Sequence, residues 1–438
     1  MNPHEDIKAM YSKAIEAASP YGAVRSSLIR EGNTLRLKDG SVFDLSAFKH
    51  IYVVGAGKAT APMAKAVEDI LGDSISEGVI AVKYGYREKL SHITLREAAH
   101  PVPDENGLKA SQEIIDLLGK AGGDDLVISC ISGGGSALLP YPVKPITLAE
   151  KQDLTQKLLK SGASIKELNI VRKHLSRTKG GNLALAAYPA TVINLMMSDV
   201  VGDDIDIIAS GPFVPDESTY SEALSILQRY KLEKTVAPSI IHHLEKGVNG
   251  EVPETPKDKH IFEKVHNSII ASNIIACMAA YKKARDLGYN SLILSSMIEG
   301  DTAQAAGLHS AIAHEILKSG NPLEKPACII SGGETTVVVK GSGLGGRNME
   351  FALQIALLIE GTSIVAASVG TDGTDGPTDA AGALADGTTV KRAQKLGLNI
   401  EEYINNSDSY HFFEKLGDLI KTGPTNTNVM DLRIIIVV

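Results

Sequence analysis

Residues 129–139 read SCISGGGSALL, and the reading of this stretch decides the fold. The run leading into it, LVISCI, is apolar and small throughout, as a strand buried on both faces is. It then empties into three consecutive glycines flanked by Ser132 and Ser136. A strand end without side chains forgoes packing and gives up the most backbone entropy. Something must therefore approach the backbone more closely than a Cβ would permit. In open α/β sheets that position, beyond the carboxyl end of a strand, is where ligands bind.

The same pattern spreads in both directions. Short β-branched runs at 50–56, 78–84, 125–131 and 190–198 alternate with helical patterns such as APMAKAVEDIL and ASQEIIDLLGKA. After the charged, proline-bearing stretch 246–260 the alternation restarts, with strands in KVHNSIIA, NSLILSS, PACIIS, TTVVV, TSIVAASVG and NVMDLRIIIVV. Alternating strands and helices predict parallel sheets. The expectation is two Rossmann-like α/β domains with mainly parallel sheets, over residues 1–245 and 260–438.

Bulk composition narrows the function. A chain of 438 residues is too long for one core. A net charge of -8 with no basic run excludes a general nucleic-acid binder. No apolar run reaches the length of a membrane span, and the charged, helix-patterned N-terminus is not a signal peptide. The three cysteines lie in apolar runs without CxxC, as reduced core residues of a cytoplasmic protein do. No histidine–cysteine cluster suggests zinc, and no nucleophile elbow occurs.

Five glycine-rich segments punctuate the pattern: 55–60, 132–137, 331–336, 341–353 and 369–383. One such turn often only closes a loop; five point to a polyanion, because exposed N–H groups and helix starts favour phosphate. GAGKAT fits neither familiar loop. Thr60 stands where a dinucleotide fingerprint has its third glycine, and Tyr52 and Ala59 break the Walker pattern. What remains is Lys58 at the opening of a helix, where a cation is disfavoured unless an anion joins it.

Carboxylates on glycine loops suit Mg²⁺, which takes one or two of them and otherwise water and phosphate. Asp199 follows a strand directly, and Asp372 and Asp375 lie in GTDGTDG. Asp203, Asp204, Asp206 and Asp379 read as turn and cap residues. Arg347, after two glycines, can fork onto a carboxylate or phosphate. His100 and His174 read as satisfied turn and helix residues.

In this order the motifs resemble the glycerate 2-kinases, with their N-terminal domain and C-terminal MOFRL domain. The matching segments are VVGAGKA, HPVPDENG, SGGGSALL, ELNIVRKHLSRTKGGNLA, SDVVGDDIDIIASGPFVPD, SGGETTVVVKGSGLGGRNMEFAL, GTDGTDGPTDAAGA and GDLIKTGPTNTNVMDL. The resemblance implies ATP- and Mg²⁺-dependent phosphorylation of D-glycerate on its 2-hydroxyl, in a cleft between two α/β domains. It puts the family's lysine on Lys58 and its arginine on Arg347, to hold the glycerate carboxylate and the transferring phosphoryl. Gly133, Gly134, Gly135 and Ser136, with Gly332 and Gly333, would cradle oxygens. Asp199 or Asp372 and Asp375 would hold Mg²⁺, with Asp199 also placed to take the hydroxyl proton. Two other readings stay open: an NAD(P)H-dependent hydroxypyruvate reductase, against which the broken fingerprint counts, and a non-catalytic small-anion binder. A monomer and a homodimer both fit the sequence.

Overall fold

In the computed structural model, which describes residues 2–438, packing divides the chain into two units. One comprises Pro20–Ser198 and Asp203–Ile270; the other takes the residues up to Ser19, Asp199–Gly202 and Ala271–Val438.

The first unit opens with a small antiparallel sheet of β1 (Leu28–Glu31), β2 (Thr34–Leu37) and β3 (Val42–Asp44). Its main sheet has six strands: β4 (Ile51–Ala56), β5 (Glu77–Lys83), β6 (Ile93–Ala98), β7 (Leu126–Ile131), β8 (Thr191–Met197) and β9 (Val265–Ala271). They lie in the order β6-β5-β4-β7-β8-β9, and the pairings from β6 through β8 are all parallel. Every residue of β4 and β7 is buried. That is why both read as unbroken apolar runs rather than alternating ones. The helix Glu105–Leu118 shows how the faces are covered. Asp104 caps it by accepting from the Gly107 N–H at 2.9 Å, and Ala110, Ile114, Leu117 and Leu118 pack into the core beside the sheet. Each such large side chain contributes about 1.5–3 kcal/mol by leaving water.

The second unit is built on β10 (Asn290–Asp301), β11 (Ala327–Thr336), β12 (Ile364–Gly370), β13 (Gly382–Asp386), β14 (Leu419–Ile420) and β15 (Asp431–Val437). The order is β10-β11-β15-β12-β13-β14. Only β10 and β11 pair in parallel; the other four pairings are antiparallel. The expectation of mainly parallel sheets is therefore corrected here: this sheet is mixed. A strand buried on both faces is an apolar run whichever way it points, so composition carries no direction. The last strand of the chain enters the centre of the sheet, antiparallel to both neighbours.

Two further expectations are revised. β11 ends at Thr336, and Val338 and Val339 are 72% and 71% exposed, so TTVVV is not a strand of its own. SGGETT (331–336) lies inside β11 rather than in a turn after it. By packing, the first unit runs to Ile270 and includes the stretch 246–260. That stretch is tied into the first unit: Lys257 donates to the carbonyls of Asp216 at 2.8 Å and Ser218 at 2.6 Å. The helix Pro3–Ala17, in turn, buries Ile7, Met10, Tyr11 and Ala14 and packs on the helix Asn273–Asp286 of the second unit. Tyr289 donates to Asp6 at 2.6 Å on the same side. Among the described residues no helix is long and apolar enough to cross a membrane, and all three cysteines are free and buried.

Candidate active site

In the parallel-sheet unit, β4 and β7 are neighbours, and the turns leaving them are stitched together. The Lys58 N–H donates to the Gly133 carbonyl at 2.9 Å, the Ala59 N–H to Ser132 Oγ at 3.0 Å, and the Ser132 N–H to the Ala56 carbonyl at 3.1 Å. The glycines make this approach possible. A Cβ on Gly57, whose φ is +148°, would lie 2.0 Å from Ser132 Oγ. Gly134, at φ +82°, would drive one into the His100 ring at 2.9 Å, and Gly135 would press one to 2.9 Å from the Ala56 carbonyl. Lys58 leaves this double turn half-buried, and no carboxylate pairs with it among the described residues. Burial, followed by the charges of Lys58 and Lys83, pushes the His100 imidazole down to about 4. It is neutral at pH 7.

Ser136, the last residue of the turn, contacts Ser210 Oγ at 3.1 Å, and Ser210 donates to Asn169 at 3.1 Å. Lys179, only 2% exposed, donates to the carbonyls of Ser136 at 2.7 Å and Leu139 at 3.0 Å and so fixes the turn from beneath. Asp206 and Asp216 of the same unit both pair with the buried Lys173, the latter at 3.3 Å. Asp204 accepts from the Asp206 N–H at 3.0 Å, so these acids carry local structure. His174 is buried between the Ile170 carbonyl at 2.8 Å and Glu254 at 3.0 Å.

In the mixed-sheet unit the chemistry gathers at the head of the helix Arg347–Leu358. Arg347 Nε donates to Asp431 at 2.7 Å, and its Nη1 meets Glu334 at 2.8 Å. Asp431 is fully buried, and its register opposite Gly333 of β11 and Gly370 of β12 sets it at one end of the sheet. Its second oxygen accepts from Asn348 Nδ2 at 2.9 Å, and Asn348 in turn accepts from Ser368 at 2.6 Å. Arg433, two residues along β15, is wholly buried over the Phe351 ring and donates to Thr335 at 2.9 Å. Burial raises the Glu334 carboxyl; Arg347 opposes the rise, while Asp431 and Asp199 add to it. Asp199 thus belongs electrostatically to this cluster. The carboxylates in turn raise the Arg347 guanidinium above its ordinary value, against the effect of burial.

The remaining candidates fall as follows. Asp375 accepts from the N–H groups of Asn348 at 3.1 Å and Met349 at 2.8 Å, capping the helix from a distant loop. Burial lifts it to about 6 although these amides pull it down. Asp372 accepts from the Thr374 N–H at 3.0 Å and its hydroxyl at 3.1 Å through one oxygen. Asp379 is held by Tyr410 at 2.7 Å and Lys421 at 2.9 Å. Gly332 and Gly333 lie in β11 and not in a turn. A Cβ on Gly332 would sit 1.7 Å from Asn273 Oδ1, and one on Gly333 2.2 Å from the Ile298 carbonyl. Close packing therefore accounts for both glycines. No group of three or more metal-binding side chains occurs among the described residues.

The sequence reading did not single out Glu334, Asp431, Arg433, Lys151, Arg172 or Lys179. Three of these left a signal. DLRIIIVV carries its charges at 431 and 433, two apart and hence on one face of an otherwise apolar strand. Lys151 stands three residues from both Leu148 and Leu154, on the buried stripe of the helix Leu148–Lys160. A charge in either place is costly unless something meets it.

The fold defines the class: a two-domain α/β protein with a cationic glycine turn at strand ends in one unit and an arginine–carboxylate cluster in the other. Comparison with known proteins narrows it. A domain of unknown function, DUF4147, matches residues 6–245, and the MOFRL family matches residues 327–431. A glycerate 2-kinase of Pyrococcus horikoshii is 42% identical over 98% of this chain and 96% of its own. The crystal structure of a glycerate kinase from Thermotoga maritima superposes with a TM-score of 0.90 at 39% identity, covering 99% of each chain. An Agrobacterium vitis relative, provisionally named a hydroxypyruvate reductase, is 42% identical over 88% of this chain and 86% of its own. The chain belongs to the glycerate kinase family, with a DUF4147 N-terminal domain and a C-terminal MOFRL domain.

Proposed function

We propose that the protein is a glycerate 2-kinase, a phosphotransferase that moves the γ-phosphoryl group of ATP to the 2-hydroxyl of D-glycerate. Kinship along nearly the whole chain supports the reading. The observation that carries it is the state of Lys58: a half-buried ammonium on a glycine turn, with no acidic partner among the described residues. Such a charge is poised for an incoming anion.

Phosphoryl transfer asks the protein for positioning and charge neutralisation. The glycerate oxygen attacks the γ-phosphorus, the bond to the β,γ-bridging oxygen breaks, and ADP leaves with that electron pair. Lys58 and the turn Gly133–Ser136 neutralise phosphate oxygens. Arg347, held in a fixed fork by Asp431 and Glu334, meets the substrate carboxylate or the transferring group. Asp199 accepts the hydroxyl proton. Gly332 and Gly333 give Asn273 and β10 room to support the cluster.

A divalent cation fits this donor set. Mg²⁺ binds hard oxygens and needs only one or two carboxylates beside phosphate and water. Asp372 keeps its Oδ2 outside the turn it closes, whereas Asp375 spends both oxygens on the helix. Asp372 is the residue that would hold it beside phosphate and water, leaving Asp199 for the proton, and the ion would offset phosphate charge. The cytoplasm is the compartment proposed.

Phosphorus NMR of the protein with D-glycerate, ATP and Mg²⁺ tests the reading. A 2-phosphoglycerate resonance growing with ADP is expected. A 3-phosphoglycerate signal would overturn the regiochemistry. No transfer, with NADPH consumed on adding hydroxypyruvate, would favour the reductase.

A further inference from the structure

The parallel-sheet unit holds a cavity of about 380 Å³ whose wall includes Ser136 and Gly134 of the glycine turn, and behind them Lys151, Arg172 and Lys179. No acidic residue lines it. Lys151 is 7% exposed, Lys179 2%, and Arg172 is half-buried. Lys151 donates to the Pro140 carbonyl at 3.3 Å and Lys179 to two carbonyls; the Arg172 side chain has neither a hydrogen bond nor an ion pair among the described residues. A larger cavity of the same unit, about 470 Å³, makes the contrast. There Lys173 pairs with Asp206 and Asp216, and His174 with Glu254.

Three cations drawn out of water around one space, without an acid, repel one another and forfeit hydration. The protein bears that cost only where a polyanion offsets it. Burial drives Lys151 down to about 7, Arg172 down to about 10, and Lys179 well below the ordinary lysine range, with the neighbouring cations pushing the two lysines further. The cavity is roomier than a three-carbon acid needs and falls within the roughly 300–1,000 Å³ of sites that take larger ligands. The wall is also apolar in part: Val102 and Leu159, 55% and 58% exposed, line it.

From this geometry we propose that the cavity is the nucleotide site, with the phosphate chain of a nucleoside triphosphate on Lys151, Arg172 and Lys179 and its terminal phosphate toward the Gly133–Ser136 turn. The assignment rests on the kinase reading and adds to it which unit binds the nucleotide. Base and ribose meet Val102 and Leu159. Lys179 acts twice, holding the turn by its carbonyls and donating its remaining N–H to phosphate.

The test is calorimetric titration of ADP into the full chain and into Arg172→Met and Lys151→Met, with steady-state KM values for ATP and D-glycerate. Arg172 has no partner to lose, so its replacement leaves the fold intact; the exposed Lys160→Met is the control. The expected result is an ADP dissociation constant raised about tenfold or more in each cavity variant. The ATP KM rises in parallel, the glycerate KM stays within about twofold, and tripolyphosphate competes with ADP in the parent protein only. Unaltered ADP binding in both folded variants overturns the assignment while leaving the kinase intact. A rise confined to the glycerate KM also overturns it, giving the cavity to the acid. Failure of the parent protein to bind ADP or form phosphoglycerate overturns both readings together.

Discussion

Two cationic regions of this molecule have opposite electrostatic designs. In the mixed-sheet unit Arg347 lies between Glu334 and Asp431, and Asp431 is also held by Asn348. In the parallel-sheet unit Lys58, Lys151, Arg172 and Lys179 face glycine turns and a cavity with no acid in contact. The first arrangement fixes a guanidinium in direction, since a forked ion pair leaves it little rotamer freedom. The second leaves charge uncompensated until an anion arrives. A paired cation is an aiming device; an unpaired one stores affinity at the expense of stability.

Substitution should separate the two. Arg347→Ala is expected to have the largest effect, because it removes a charge from the reaction and leaves the fully buried Asp431 only Asn348 at 2.9 Å and Arg433 at 3.4 Å. Turnover should fall on the order of 10²-fold or more. Stability should drop by about 3–5 kcal/mol, the usual loss on breaking a buried pair. Lys58→Ala should match the loss of turnover and leave the urea midpoint unchanged or raised. Equal stability losses in the two variants would erase the distinction. Kinetics beside urea unfolding decides it.

A smaller effect tests why β11 carries its glycines. Gly332→Ala forces a methyl into the space of Asn273 Oδ1 and should cost about 1–3 kcal/mol by overpacking. A neutral Gly332→Ala would show that this part of the cluster yields, and would reopen the question of what Gly332 leaves room for. Thermal unfolding measures it.

The smallest effect is in pH. Lys151 titrates near 7 when folded and near 10.5 when free. Between those values the unfolded chain binds more protons, so this group makes the nucleotide-free protein more stable as pH rises. Lys151→Met should flatten the slope of the urea midpoint between pH 7 and about 9. An unchanged slope would mean that Lys151 already has a counter-charge, and the comparison would lose one of its unpaired cations.

Much of the fold was legible in the chain. The all-apolar runs at 51–56 and 126–131 are strands because only a doubly covered sheet buries every side chain. The turn glycines at 57, 134 and 135 were readable as points of close approach, and each is one. Less legible was what approaches. At Gly134 it is the His100 ring, and at Gly332 it is Asn273, both far away in sequence.

By itself the sequence determined where most strands and helices run, which of the turns at strand ends needed glycine, and that Lys58 and Arg347 stand at helix openings. Local propensity and periodicity act over a few residues and are written in order along the chain. Tertiary structure alone decided that β15 enters the middle of its sheet and carries Asp431 to Arg347, 84 residues away in sequence. It alone gathered Lys151, Arg172 and Lys179 around one cavity without an acid. Strand direction and charge pairing depend on which surfaces finally meet, and burial fixes that across the whole chain.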